Sequence, residues 1–259
     1  MHVLHVVFRN FFPHGDFYLY VSDWLFKWSQ IRRHSLLRKS GSKKVFVGSA
    51  PHGMAAISLT GSNFRDRLAI PVDAFVIGRI GGYRSFDDRA AHHAVLQVLA
   101  ENPQVYFLAV NTDFFGHHPR LIYRDYVDRS EISDFYDACD LLLNGRLMGE
   151  SFGFSVAEPL AHGKPILAPH WLRNPRMDWH HLSLLKGSGL LYRNRSDLLD
   201  KIKAFANGKE IPVSELESRV SSFTISRLAT TLFHLSGGKN DEIATRKAGL
   251  EGYLAKSAL

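Results

Sequence analysis

The chain predicts an α/β fold: a parallel sheet with helices on both faces. Three observations carry this. The apolar runs Phe75-Val76-Ile77, 104–110, 141–143 and 166–168 are short and do not alternate with polar residues, as expected of strands buried on both faces. Between them lie segments with helical spacing of apolar residues and polar residues placed to cap them. Glycine-rich or acidic turns follow directly on strands, at the strand ends where Rossmann-like sheets hold ligands.

In chain order, residues 2–8 read as a strand, and residues 18–31 as an amphipathic helix with Val21, Trp24, Leu25 and Trp28 on one face. Residues 62–68 make a short helix ended by Pro71, followed by a strand over 74–80. A helix near 87–100 carries Ala90, Ala91, Ala94, Val95 and Val98, and leads to the strand 104–110. Residues 111–118 are loop and 121–123 a short strand. Ser130 caps a helix over 130–139, and 141–143 is the next strand. A helix starting near Gly153 runs to the break Gly163-Lys164-Pro165 and is followed by the strand 165–168. A last strand at 189–192 precedes a capped helix over 196–205, with weak helices in 213–235 and a polar tail from Gly237 to Leu259. The expected organisation is a short first region over 1–50, an α/β domain over 51–235 and a tail over 236–259.

At 259 residues the chain can bury a substantial core in one or two domains. No apolar run reaches the length of a membrane span, and the start of the chain lacks a signal-peptide core, so the expected location is cytoplasmic. The single Cys139 lies in an apolar setting and reads as core packing. A net charge of +7 suits an anionic partner. Much of it lies in 27–44 and 173–195, either a solvated face or a peripheral contact with the inner face of a membrane. No recognised nucleic-acid module or basic-aromatic interleaving appears, so nucleic acid is not an expected partner. The fourteen histidines include the pairs 92–93, 117–118 and 180–181, but none has the spacing of a zinc site, and no metal is expected.

Two stretches carry chemistry. In the first, Gly78-Arg79-Ile-Gly81-Gly82-Tyr-Arg84 follows the strand at Phe75, and Ser85 to Asp88 opens the next helix. A glycine turn lets backbone approach a ligand, and two guanidinium groups beside a helix start make a plausible diphosphate clamp. In the second, seven residues separate Glu150 from Glu158. Glu150 lies before the helix start at Ser151-Phe152-Gly153-Phe154, where first-turn amides suit an anion. Glu158 lies inside the helix and needs a hydroxyl or cationic partner to sit on its apolar face. Each stretch alone also fits a solvated βα turn or a capped surface helix.

Taken together, Gly78-Arg79-x4-Arg84 and Glu150-x-Phe152-Gly153-x4-Glu158-x4-Gly163-Lys-Pro resemble the donor-binding half of a GT-B glycosyltransferase of the retaining Glu-x7-Glu type, over about 44–205. Pro51-His-Gly-Met54 resembles the crossover into that domain. The resemblance implies transfer, of hexosyl type, from a nucleotide-diphosphate-sugar with retention and without a bound metal or other cofactor, in glycan biosynthesis. It implies that Arg79 and Arg84, with Gly78 and Gly81, hold the diphosphate, and that Glu150 and the amides around Phe152, Gly153 and Phe154 meet the sugar. Glu158 would hold the ribose, and the base would lie near 126–130, with uridine, guanosine and adenosine donors all open. The acceptor, whether glycan, lipid or protein, is not legible.

Arg84 stands where lysine is usual, and Asn144-Gly-Arg-Leu-Met148 stands where a Pro-Ser turn is common. Residues 1–50 are short for an acceptor domain and resemble its last strand and helix. A second expectation is therefore a silent nucleotide-sugar-binding module, or one chain of a split transferase whose partner supplies the acceptor site. A dehydrogenase is disfavoured by the absence of a Gly-x-Gly-x-x-Gly loop.

Overall fold

The computed structural model describes residues 3–7, 17–27, 45–49, 54, 57, 59–61, 63–82, 84–171 and 178–228. The expected tail, most of the proposed crossover (51–53) and the basic stretch 28–44 lie outside these residues. The described residues divide between two compact units, one drawn from 1–55, 178–180 and 222–259, the other from 56–177 and 181–221.

The first unit holds three parallel strands, β1 (Val3–Val6), β2 (Phe17–Tyr20) and β3 (Val45–Ser49), with β2 in the middle. Here the structure corrects the sequence, which pointed to a helix over 18–31. Tyr18, Leu19 and Tyr20 are all fully buried in β2, and the described helix, α1, covers only 23–27. Phe17-Tyr-Leu-Tyr20 is aromatic and favours a strand buried on both faces, which a one-faced helical stripe cannot satisfy. Ser22 then starts the helix by accepting the Leu25 N–H at 3.2 Å.

The second unit is built on a six-stranded, wholly parallel sheet. Its elements run α2 (Phe64–Arg67), β4 (Phe75–Ile80), α3 (Arg89–Glu101), β5 (Val105–Val110), β6 (Leu121–Arg124), a 3-10 turn (Arg129–Glu131), α4 (Ile132–Asp137), β7 (Leu141–Leu143), the short strand β8 (Gly149–Glu150) and α5 (Phe154–Ala161). β9 (Ile166–Pro169), the short strand β10 (Asp178–Trp179, of the first unit), α6 (His180–Leu185), β11 (Leu191–Tyr192), α7 (Arg195–Ala206) and α8 (Val213–Ser218) follow. The order across the sheet is β11-β9-β7-β4-β5-β6.

The central strands are the most apolar. β7 and β9 are buried throughout, and β5 exposes only Tyr106 in part. From β4 the chain winds one way through β5 to β6, and from β7 the other way through β9 to β11. Right-handed crossovers in opposite directions place α3 and α5 on opposite faces. α3 packs against α7, and α5 against α8.

Helix starts are set by side-chain caps one or two residues from those expected. Asn63 accepts the Arg65 N–H at 3.1 Å, Asp88 the Ala90 N–H at 2.9 Å, and Asn194, rather than Ser196, the Asp197 N–H at 2.9 Å. Asp128, rather than Ser130, caps the turn before α4 and accepts both the Ser130 N–H at 2.9 Å and its hydroxyl at 2.6 Å.

Candidate functional site

β4 and β7 are neighbours in the sheet, and the winding direction reverses between them. This is the switch point at which loops leave in opposite directions and open a crevice at the carboxyl ends of the strands. Arg79 lies at the end of β4; Asn144, Gly145 and Arg146 follow β7 directly, with Glu150 four residues further on. The topology therefore gathers the two sequence stretches at one place.

Arg79 is 4% exposed, and burial pulls its guanidinium down to about 10, with Glu150 and Asp113 opposing that shift. Its Nη1 donates to Thr112 Oγ1 at 2.9 Å and to the Asn111 carbonyl at 3.3 Å, and Nη2 donates to Ser85 Oγ at 2.6 Å. Of the five N–H donors of a guanidinium, these three bonds leave two for a ligand. The cation lies 5.3 Å from the Phe86 ring centroid, which fixes it from one side. Gly81 is required here for space: a Cβ would come within 2.7 Å of Arg79 Nη2. Gly78 is required inside the sheet, where a Cβ would fall 2.3 Å from Cys139 Sγ.

Arg84 is exposed and adopts a left-handed backbone, φ 59°, held by its N–H donating to Asp113 Oδ2 at 2.8 Å. The far end of the glycine loop is thus pinned by Asp113, which holds Arg84, and by Ser85, which accepts from Arg79 and donates to the Gly82 carbonyl.

Glu150 is 8% exposed. Its Oε1 accepts Asn144 Nδ2 at 3.2 Å and Ser155 Oγ at 3.1 Å, and its Oε2 accepts Arg146 Nη1 at 3.4 Å. Gly153 begins α5 in the left-handed region, φ 78°, which turns the chain sharply between Glu150 and the helix. A Cβ at Gly153 would press within 2.9 Å of Glu150 Cβ, so glycine is needed there on both counts. Phe152 is buried and Phe154 partly exposed, their rings 4.8 Å apart in an edge-on pair.

Glu158 finds the hydroxyl partner that its place on the helix demands. Tyr136, fully buried on α4, donates to Glu158 Oε2 at 2.9 Å. Burial raises the Glu158 carboxyl above its ordinary range, and the Tyr136 bond works against that rise. His162 lies beside this pair, its ring 4.8 Å from Tyr136. Burial lowers its pKa and keeps the ring neutral, so Nδ1–H donates to the Glu158 carbonyl at 2.8 Å and Nε2 accepts Ser133 Oγ at 3.1 Å.

A buried strut joins the two sides of the crevice. Tyr192 on β11 donates to Asp88 Oδ2 at 2.8 Å, and Asp88 also caps α3. The loop after β7 is fastened to the loop after β4: Gly145 O accepts the N–H groups of Asp87 and Asp88 at 3.1 Å, and Leu147 N donates to Asp87 Oδ1 at 2.8 Å. His92 bonds the Phe86 carbonyl and His181 the Pro169 carbonyl. Among the described residues no group of histidine, cysteine or carboxylate side chains is arranged to hold a metal ion.

No protein-family model matches the chain, and no curated protein matches it significantly. Solved structures do. Anabaena HepE in complex with UDP and glucose superposes with a TM-score of 0.60 at 17% identity, over 85% of this chain and 63% of its own. Sucrose-phosphate synthase from Thermosynechococcus elongatus gives 0.54 at 17% identity, over 85% of this chain and 66% of its own. A glycosyltransferase from Rickettsia africae gives 0.58 at 14% identity, over 84% and 62%.

The fold is that of the GT-B glycosyltransferases. The chain spans just under two thirds of the length of these GT-B structures. Within the GT-B frame, the sequence pointed to Arg79, Glu150 and Glu158 but passed over Asn144, Arg146, Ser155 and Tyr136, which hold the two acids. Asn144 and Arg146 were visible only as the replacement for a Pro-Ser turn. Tyr136 had no signal beyond the unmet need of Glu158 for a partner. No described helix is long and apolar enough to cross a membrane.

Proposed function

We propose that this chain carries the donor-binding half of a retaining glycosyltransferase that takes its sugar, of hexosyl type, from a nucleotide-diphosphate-sugar. The observation that carries this reading is the buried Arg79 guanidinium at the switch point, with donors left over and Glu150 close enough to feel its charge. A cation held this way, in a site of low dielectric, stabilises the charge that grows on a leaving diphosphate and needs no reorganisation to do so. HepE, of the same fold, was crystallised with UDP and glucose. Arg84 adds a second cation from the rim of the glycine loop, and the backbone at Gly78 and Gly81 lies beside the diphosphate.

Glu150 orients the sugar through its hydroxyls, beside the turn at Phe152, Gly153 and Phe154, and Glu158 holds the ribose through the oxygen that Tyr136 leaves. Both acids position the ligand; neither attacks it. The acceptor would be a glycan, lipid or protein.

Calorimetry with UDP, GDP and ADP tests the reading, with Arg79→Ala and Glu158→Ala alongside. Base-selective binding, weakened at least tenfold by each substitution, is the expected result. Absence of binding to every nucleotide, or binding indifferent to Arg79, refutes it.

A further inference from the structure

The stretch Asn144 to Met148, where this chain departs from the pattern it otherwise resembles, places a further guanidinium at the switch point, after the opposite strand from Arg79 and Arg84. Arg146 sits on a loop that cannot shift easily. Its own N–H donates to Asn144 Oδ1 at 3.0 Å, the Leu147 N–H to Asp87 Oδ1 at 2.8 Å, and a Cβ on Gly145 would lie 2.5 Å from the Phe86 ring. Only the Arg146 side chain is loosely held. Its contact with Glu150 Oε2 is 3.4 Å, long beside the ~2.7–2.9 Å of a tight charge-assisted bond, and its side chain is 41% exposed against 9% for Glu150.

Glu150 does not depend on that contact for its orientation, because Asn144 and Ser155 fix its other oxygen at 3.2 and 3.1 Å. The crevice therefore sets two guanidinium cations, Arg79 and Arg146, near the Glu150 carboxylate. Arg146 is near enough to Arg79 for its charge to help lower the Arg79 guanidinium. Asp113 lies near Arg79 as well, so Glu150 is left as the partner that Arg146 can exchange for an anion.

We infer that Arg146 is an anion-binding residue of the crevice, which exchanges its ion pair with Glu150 for the diphosphate of the ligand. The exchange does two things at once. It supplies a guanidinium opposite Arg79, so that the diphosphate is held from both sides of the switch point. It also uncovers Glu150 Oε2, still oriented through Oε1, for a hydroxyl of the sugar. Glu150 Oε2 is thereby covered by Arg146 until a diphosphate takes the guanidinium. This inference rests on the donor-site reading above, and its test separates the two.

The test is calorimetry on the full chain with UDP, GDP and ADP, and separately with inorganic pyrophosphate, at low and moderate salt. Arg146→Gln keeps a donor for Glu150 and removes the charge, and Arg146→Lys keeps the charge. Thermal melting confirms that both variants are folded. The expected result is a loss of about tenfold or more in diphosphate affinity for Arg146→Gln with a shallower salt dependence, and a loss of about threefold or less for Arg146→Lys.

Diphosphate affinity within twofold of the unaltered chain in Arg146→Gln overturns the inference while the donor-site reading stands. Equal losses in the two variants also overturn it, since the arginine would then serve loop packing. Arg146-dependent binding of pyrophosphate without binding of any nucleotide upholds the inference and sinks the nucleotide reading. Binding of neither sinks both.

Discussion

Tyr136→Phe is expected to destabilise the second unit in a pH-dependent way. The substitution keeps the ring and its packing against His162 but removes the hydroxyl that donates to Glu158 Oε2 at 2.9 Å. A hydrogen bond to a charged group contributes ~1.5–3 kcal/mol, and one between neutral groups ~0.5–1.5 kcal/mol. Which applies depends on whether Glu158 carries its charge.

Burial raises the folded-state value of Glu158 above its ordinary 4.5, so the folded chain holds that proton more tightly than the unfolded one. Stability is therefore lost as pH rises from the ordinary carboxyl range through the raised value, and none of this loss is felt below that range, where both states are protonated. The Tyr136 hydroxyl opposes the rise, so removing it moves the folded value higher and deepens the loss above it. The variant should cost ~1.5–3 kcal/mol near pH 8 and ~0.5–1.5 kcal/mol near pH 4. Urea titrations of both proteins at the two pH values, read as differences, measure this. A cost equal at both, or larger in acid, refutes the idea that Tyr136 serves the charged form of Glu158.

Two further outcomes test the core beneath the site. Gly78→Ala places a methyl 2.3 Å from Cys139 Sγ and 2.8 Å from Leu142 Cδ1 in the middle of the sheet, and should cost ~1–3 kcal/mol by overpacking. Adding Cys139→Ala should recover part of that cost in urea melts, and strict additivity of the two changes would disprove the clash. Cys139 itself is fully buried, with Sγ donating to the Phe135 carbonyl at 3.1 Å, and burial pushes its thiol far up. An alkylating reagent should leave it untouched in the folded chain and label it in urea; labelling of the native protein at the rate of a free thiol would contradict this.

Much of the second unit was legible because its strands carry their own signature. Val105 to Val110 and Leu141 to Leu143 are apolar without alternation, and only burial on both faces makes such runs stable. The first unit was misread for the same physical reason turned round. Phe17 to Tyr20 is just as apolar, but it runs into Val21, Trp24 and Leu25, and the combined spacing mimics a helical stripe. Burial of Tyr18, Leu19 and Tyr20 on both sides of β2 decides the matter, and that depends on β1 and β3, which are remote in sequence.

The site divides along a different line. Arg79 and Glu150 stand at strand ends, so local order was enough to point to them. Residues that hold them could not be found that way. Tyr136 reaches Glu158 across 22 positions of sequence, and Tyr192 reaches Asp88 across 104. The sheet order alone brings them together, and a hydroxyl on an apolar helix looks like any other core aromatic until its partner is known. Asn144 shows the limit most sharply. In the sequence it only breaks a familiar turn. In the fold its side chain serves Glu150 and Ser155 while its carbonyl lies 3.4 Å from the Tyr192 hydroxyl. The hydrogen-bonded Asn-Gly-Arg turn both aims the acid and brings an extra cation with it. If Arg146 binds the diphosphate, the departure at 144–148 is a change in how the crevice holds its anion, made at the one place where both strands of the switch point can be reached.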